Sequence, residues 1–180
     1  MSTEVNWQGS FDAFCGVYCA AHIIASVAVK DGSTLKNYRS LYQERAKEAF
    51  GDLLGSLEDM GLLKASKIAL SSKSRGYKDQ ELERMINKLD ESRHEGLKAI
   101  AFSRPTIMAL GNSQRRNIIG SGAYAIIEEN GDNHWIAVDA GKGAEGYKCF
   151  DPHPDTAVSS RSRISWSKGL FVGDPSLWKA

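Results

Sequence analysis

The chain has almost no surplus charge: 23 Lys and Arg stand against 22 Asp and Glu in 180 residues. That balance provides no broad field of either sign, so charge favours neither nucleic acid nor an anionic membrane as a partner. No apolar run approaches the ~20 residues that a membrane span needs. The opening MSTEVNWQ has neither the basic region nor the apolar core of a signal peptide. The expectation is a protein that is cytoplasmic where it is made; export by a specialised secretion system that reads no cleaved leader stays open. Cysteine is scarce and odd in number, three in all, which excludes a disulfide framework and points to reduced thiols. Internal repeats, low-complexity tracts and clear linkers are also missing, so residues 1–180 read as a single domain. At 42% hydrophobic content, a chain of this length buries roughly two-thirds of its unfolded surface.

What the chain does have is a cysteine where a loop turns into a helix. From Val17 the apolar positions recur as Val17, Ala20, Ala21, Ile24, Val27 and Ala28, the spacing of a helix with one buried face. Cys15 then stands at or beside the first turn, where backbone N–H groups lack intrahelical partners and the peptide dipoles add partial positive charge. A thiolate is favoured over a thiol at such a point, and the thiolate is the nucleophile. Gly16 allows a tight turn beside the sulfur, and Phe11 and Phe14 can anchor the loop in the core. The rival reading of Cys15 by itself is core packing, since cysteine is among the most buried residue types.

Helices are predicted over residues 34–50 and, after Gly51 and Gly55, over a short segment holding Leu53, Leu54, Leu57 and Met60. Residues 68–70 suggest a strand. Residues 78–93 read as a charged helix with Leu82, Met85, Ile86 and Leu89 as its inner stripe, the charges forming a solvated face. Residues 104–122 are either a broken helix or a loop, in which Arg115 and Arg116 read as surface residues. The chain then turns to short aromatic and β-branched runs at 123–128, 134–140, 147–151 and 164–172. The whole reads as an α+β domain, a helical N-terminal half packed on a C-terminal antiparallel sheet.

His134 opens its strand and Asp151 closes the next. A hairpin centred between Gly143 and Ala144 sets position 134 opposite 153 and position 136 opposite 151, making Asp151 a diagonal neighbour of His134. A carboxylate that engages one ring nitrogen leaves the other to act on a thiol. Gln8, on the loop before Cys15, could join the Cys15 backbone N–H as a donor to an oxyanion.

Gln8, Cys15-Gly16 opening a helix, Asn133-His134-Trp135 opening a strand and Asp151-Pro152 ending the next resemble the papain-like cysteine peptidase superfamily. Within it, the chain looks most like the compact C39-like bacterial cysteine peptidases. The resemblance implies Cys15 as nucleophile, His134 as general base and acid, Asp151 as the group orienting His134, and Gln8 as oxyanion donor, with no cofactor and no metal. It covers the two ends of the domain and leaves residues 30–120 unassigned. Asp12 is similar instead to the Asp-x-x-Cys of ovarian-tumour-type deubiquitinases, although its neighbours do not match.

Competing motifs carry less. Residues 141–146 (GKGAEG) fit G-x-G-x-x-G, but a strand and a proline follow where a dinucleotide site needs a helix. Cys15, Cys19 and His22 share a helix and supply only three zinc ligands, the fourth having to come from Cys149 or His153. His153 rivals His134 as base, and His94 reads as a surface residue.

The leading expectation is a cysteine peptidase that cuts a protein or peptide substrate through a thioester, of the kind small bacterial effectors and toxins use. A deamidase, an acyl transferase or a deubiquitinase-like isopeptidase would use the same triad, and a non-catalytic binding module would keep the fold alone. Alkylation of Cys15 followed against pH separates enzyme from module. An inflection well below that of free cysteine is expected; one near it would favour the module.

Overall fold

A computed structural model describes residues 14–30, 38–63, 76–94, 96–103, 124–129, 134–139, 146–152, 158–161 and 167–174. Three helices, α1 (Cys15–Lys30), α2 (Tyr38–Asp59) and α3 (Asp79–Asn87), precede six strands. The strands are β1 (Lys98–Ser103), β2 (Tyr124–Glu129), β3 (His134–Asp139), β4 (Tyr147–Phe150), β5 (Val158–Arg161) and β6 (Lys168–Gly173). They form one sheet in the order β1-β6-β2-β3-β4-β5, every neighbouring pair antiparallel. The protein is therefore α+β. No helix among the described residues is long and apolar enough to cross a membrane.

Helix α1 is the central element. One buried face was expected, yet Val17, Cys19, Ala20, Ala21, Ile23 and Ala25 are all fully buried. A helix that is apolar nearly all round must be enclosed, and α1 packs against α2 on one side and the β2–β3 part of the sheet on another. Small side chains let its neighbours come close. At Gly16 an added Cβ would lie 2.6 Å from a Leu82 methyl of α3, so the first turn of α1 is pressed directly onto that helix.

Helix α2 corrects the expectation of two helices separated at Gly51. Its buried positions Tyr42, Ala46, Ala49, Leu53 and Leu57 run as one stripe through both glycines. Fully burying Leu53 and Leu57 gives about 1.5–3 kcal/mol each, more than the about 1 kcal/mol that each interior glycine costs. The helix stops at Gly61, whose φ is 64°. The Gly61 N–H donates to the Glu58 carbonyl and the Leu62 N–H to the Leu57 carbonyl, both at 2.8 Å, the paired bonds of a Schellman ending.

Helix α3 is shorter than the predicted 78–93. The Glu81 carboxylate accepts the Lys78 N–H at 2.9 Å and starts it. Leu82, Met85 and Ile86 are its buried stripe. Beyond Asn87 the Asp90 carboxylate accepts the Ser92 N–H and hydroxyl at 2.9 and 2.8 Å, a local turn that competes with continued helix. Those two bonds hold the Asp90 carboxyl below the usual carboxylate range. The turn carries His94 inward: expected at the surface, it is 6% exposed, with Nε2 2.8 Å from the Asp52 carboxylate of α2.

The sheet is buried on both faces. Ala99, Tyr124, Ile126, Trp135, Ala137, Phe150, Leu170 and Val172 join α1 in the main core, while Phe102, Ala125, Ile127, Ile136, Val138, Cys149 and Phe171 make a second cluster. The assignment to opposite faces follows the two-residue period of a strand. Strands β2, β3, β4 and β6 overlap the predicted runs; β1 and β5 were not anticipated. The predicted strand at 68–70 and the alternatives at 104–122 lie outside the described residues. Gly169 of β6 lies so close to β2 that a Cβ there would be 2.3 Å from the Ile126 carbonyl oxygen. At the β1 edge the Asn87 amide stands in for a missing strand, accepting the Ala99 N–H at 2.7 Å and donating to the Ala99 carbonyl at 3.0 Å.

Because Gly51 and Gly55 face open space within a continuous helix, Gly51→Ala and Gly55→Ala should each stabilise the protein by about 0.5–1 kcal/mol. Urea unfolding measures this. Destabilisation by both would contradict a single unbroken α2.

Candidate active site

Cys15 is the first residue of α1. The Phe14 carbonyl accepts the Tyr18 N–H at 2.9 Å, which makes Phe14 the residue from which the helix starts. Its ring packs on Phe50 and Tyr77, with centroids 6.4 and 5.8 Å away, so the turn that presents the sulfur is fastened to the core. Cys15 itself is buried at 5% exposure. Phe11, the expected second anchor, lies outside the described residues.

His134 is the first residue of β3 and Asp151 follows directly on β4. Ala137 pairs with Phe150 and Val138 with Cys149, the register in which position 136 faces 151. Asp151 thereby comes diagonally beside His134, and His134 Nε2 stands 2.9 Å from Asp151 Oδ1. The same ring is hydrogen-bonded to the Cys15 side chain. With Nε2 engaged by the carboxylate, Nδ1 is the nitrogen left for sulfur. One imidazole from β3 thus joins a thiol from α1 to a buried carboxylate from the end of β4.

The electrostatics follow from those contacts. The hydrogen bond to Asp151 and then that to Cys15 push the His134 ring up to about 10, with charge attraction from both adding and partial burial opposing. At neutral pH the ring is a cation, and both of its N–H groups donate. A second cation lies beside the carboxylate: Arg161 Nη2 of β5 is 3.9 Å from Asp151 Oδ2. Sequence reasoning missed Arg161, because a polar VSSR strand shows no periodicity that would place it.

Trp135 explains why the His134 backbone is fixed. Its side chain is fully buried, and the indole N–H donates to the Tyr77 carbonyl at 2.9 Å. Its own carbonyl accepts the Cys19 thiol at 3.2 Å, which ties α1 to β3 one turn beyond Cys15. Lys168 Nζ lies 5.5 Å from the indole centroid and 3.1 Å from Glu128.

The other two cysteines sit in different surroundings. Burial, then the nearby charges of Cys15 and Asp151, push the Cys19 thiol well up. Burial and Asp151 push Cys149 up to about 11. Both stay protonated at neutral pH and are weak nucleophiles. His22, with burial lowering it to about 4, is a neutral ring stacked on Phe150 with centroids 4.1 Å apart. Among the described residues, no three His, Cys, Asp or Glu side chains gather as a metal site. Gln8, Asp12 and His153 lie outside the described residues. A polar cavity of about 420 Å³ beside Ile24, Ala28, Arg45, Glu48, Arg93 and His94 contains none of the three joined residues.

The His134 shift determines a pH dependence. Its folded value lies above the ~6.5 of an unfolded chain, so the native state holds the proton more tightly. The resulting stabilisation is complete below about pH 6.5, declines above it and is lost by about pH 10. Urea unfolding of the wild type and His134→Gln across that window should show the gap between them closing as pH rises; a constant gap would contradict a ring held as a cation. Compared with known proteins, the chain matches no protein-family model, no curated protein and no solved structure.

Proposed function

We propose that this protein is a cysteine hydrolase that cleaves a peptide bond through Cys15, His134 and Asp151. The observation that carries the reading is the single His134 ring hydrogen-bonded to both the Cys15 side chain and the Asp151 carboxylate. These are the nucleophile, the acid-base group and the orienting group of a triad, recognised by geometry and role. The helix-borne cysteine and strand-borne histidine also support the papain-like resemblance.

In the proposed reaction the Cys15 sulfur, as thiolate beside the His134 cation, attacks the scissile carbonyl carbon and its oxygen becomes an oxyanion. The Cys15 backbone N–H and the Gln8 amide are the proposed donors to that oxygen. The C–N bond then breaks, and the leaving amine takes the proton from His134, which leaves a thioester on Cys15. His134, now neutral, removes a proton from water; the hydroxide displaces the sulfur and releases the acid, restoring thiolate and imidazolium. Asp151 keeps the ring oriented and its charge compensated throughout.

Incubation with a mixed peptide library, read by mass spectrometry for new termini, tests this. Cys15→Ala should abolish cleavage and His134→Ala should slow it by about 10²–10⁴. Cys19→Ala and Cys149→Ala should retain it, since both thiols are held protonated by burial. A one-dalton gain at glutamine without chain cleavage would identify a deamidase on the same triad. No Cys15-dependent product from peptides or isopeptides would leave a binding module.

A further inference from the structure

Strand β4 is joined to β3 through two paired positions, and Asp151 follows immediately after the second. Strand β4 is paired with β5 through four positions, but β5 lies away from the helix, at the edge of the sheet, so the distance from Asp151 to the sulfur also depends on what joins the end of β4 to the helix that carries it. A brace is present. Cys15, Cys19 and His22 are spaced i, i+4 and i+7 and line one face of α1. Along that face Cys15 meets His134, Cys19 meets the Trp135 carbonyl, and His22 meets Phe150, the residue before Asp151.

The His22 contact is specific in orientation. Its ring lies flat on the Phe150 ring, 4.1 Å between centroids with 6° between planes. His22 Nδ1 is also hydrogen-bonded to the Tyr42 hydroxyl of α2. Being uncharged at neutral pH, the ring shares a hydrogen bond with the tyrosine hydroxyl and stacks on an aromatic face without a desolvation cost for charge.

We propose that His22 is a positioning residue for the triad, clamping helix α1 to the end of β4 so that Cys15 and Asp151 meet the same imidazole. For its consequence in turnover the inference rests on the hydrolase reading; the clamp itself does not. A leucine at position 22 fills similar space but loses the flat stack, whereas a phenylalanine keeps it.

The test uses the full chain, iodoacetamide as the probe of Cys15 with the alkylated site read by peptide mapping, and nuclear magnetic resonance of the His134 ring protons. In His22→Leu, alkylation at neutral pH should slow by about tenfold, because the His134 cation no longer stands squarely against the Cys15 sulfur. The His134 midpoint should fall from the wild-type value toward the ~6.5 of an isolated imidazole. His22→Phe should restore both readouts to within about twofold of wild type, which a purely space-filling role does not predict. Phe150→Leu removes the stack from the strand side and should reproduce His22→Leu, so the question is still decided if one variant fails to fold. Wild-type alkylation and midpoint in the folded leucine variants would overturn the clamp. Absence of peptide cleavage by the wild type would overturn the hydrolase reading alone, because neither readout depends on turnover.

Discussion

The two hydrogen bonds of the His134 ring, to the Asp151 carboxylate at 2.9 Å and to the Cys15 side chain, are the constraint around which the packing is arranged. An imidazole is rigid and planar, so satisfying both nitrogens at once fixes the head of α1, the start of β3 and the end of β4 relative to one another. Each of those elements is held by separate contacts. Phe14 fastens the head of α1 to Phe50 and Tyr77, Trp135 fastens β3 to the Tyr77 main chain and to Cys19, and Phe150 fastens β4 to His22. The core therefore does more than exclude water, since its aromatic side chains are also the spacers that set the distances among Cys15, His134 and Asp151.

Environment separates residues of one type. Three buried cysteines are present, but only Cys15 shares a hydrogen bond with a cationic ring. Cys19, a single turn further along the same helix, is sealed against the Trp135 carbonyl, with its thiol pushed up by burial. Cys149 packs in the cluster on the opposite face of the sheet. The histidines divide in the same way. His134 is held as a cation by two partners, and His22 is held neutral by burial against an aromatic face. Desolvation opposes charge in both rings, and the difference is that His134 has an anionic partner to outweigh it.

Much of the fold could be read from the chain where hydrophobic period and turn residues agreed. Helix α1 and strands β2, β3 and β4 fall on the predicted segments, and the hairpin register followed from centring the glycine-rich turn. Reading failed where tertiary burial outweighed local preference. Gly51 and Gly55 suggested a break, but the stripe from Tyr42 to Leu57 made one helix. Strand β1 is specified largely by its ladder to β6 and by the Asn87 amide at its edge, neither visible in a local window. His94 was read as exposed because it ends a charged stretch, and the Asp90 turn swings it inward onto Asp52.

The candidate site divides along the same line. The sequence by itself determined that a cysteine heads an apolar helix, that a histidine opens a strand and that an aspartate closes the next, because short-range periodicity and turn chemistry act within a dozen residues. The tertiary structure alone decided that Cys15 reaches the ring that Asp151 engages, that Arg161 lies beside the carboxylate and that His22 stacks on the residue before it. The Cys15–His134 and His22–Phe150 contacts join residues more than a hundred positions apart, and their distances are set by how the aromatic core packs between α1 and the sheet, a property no local pattern encodes.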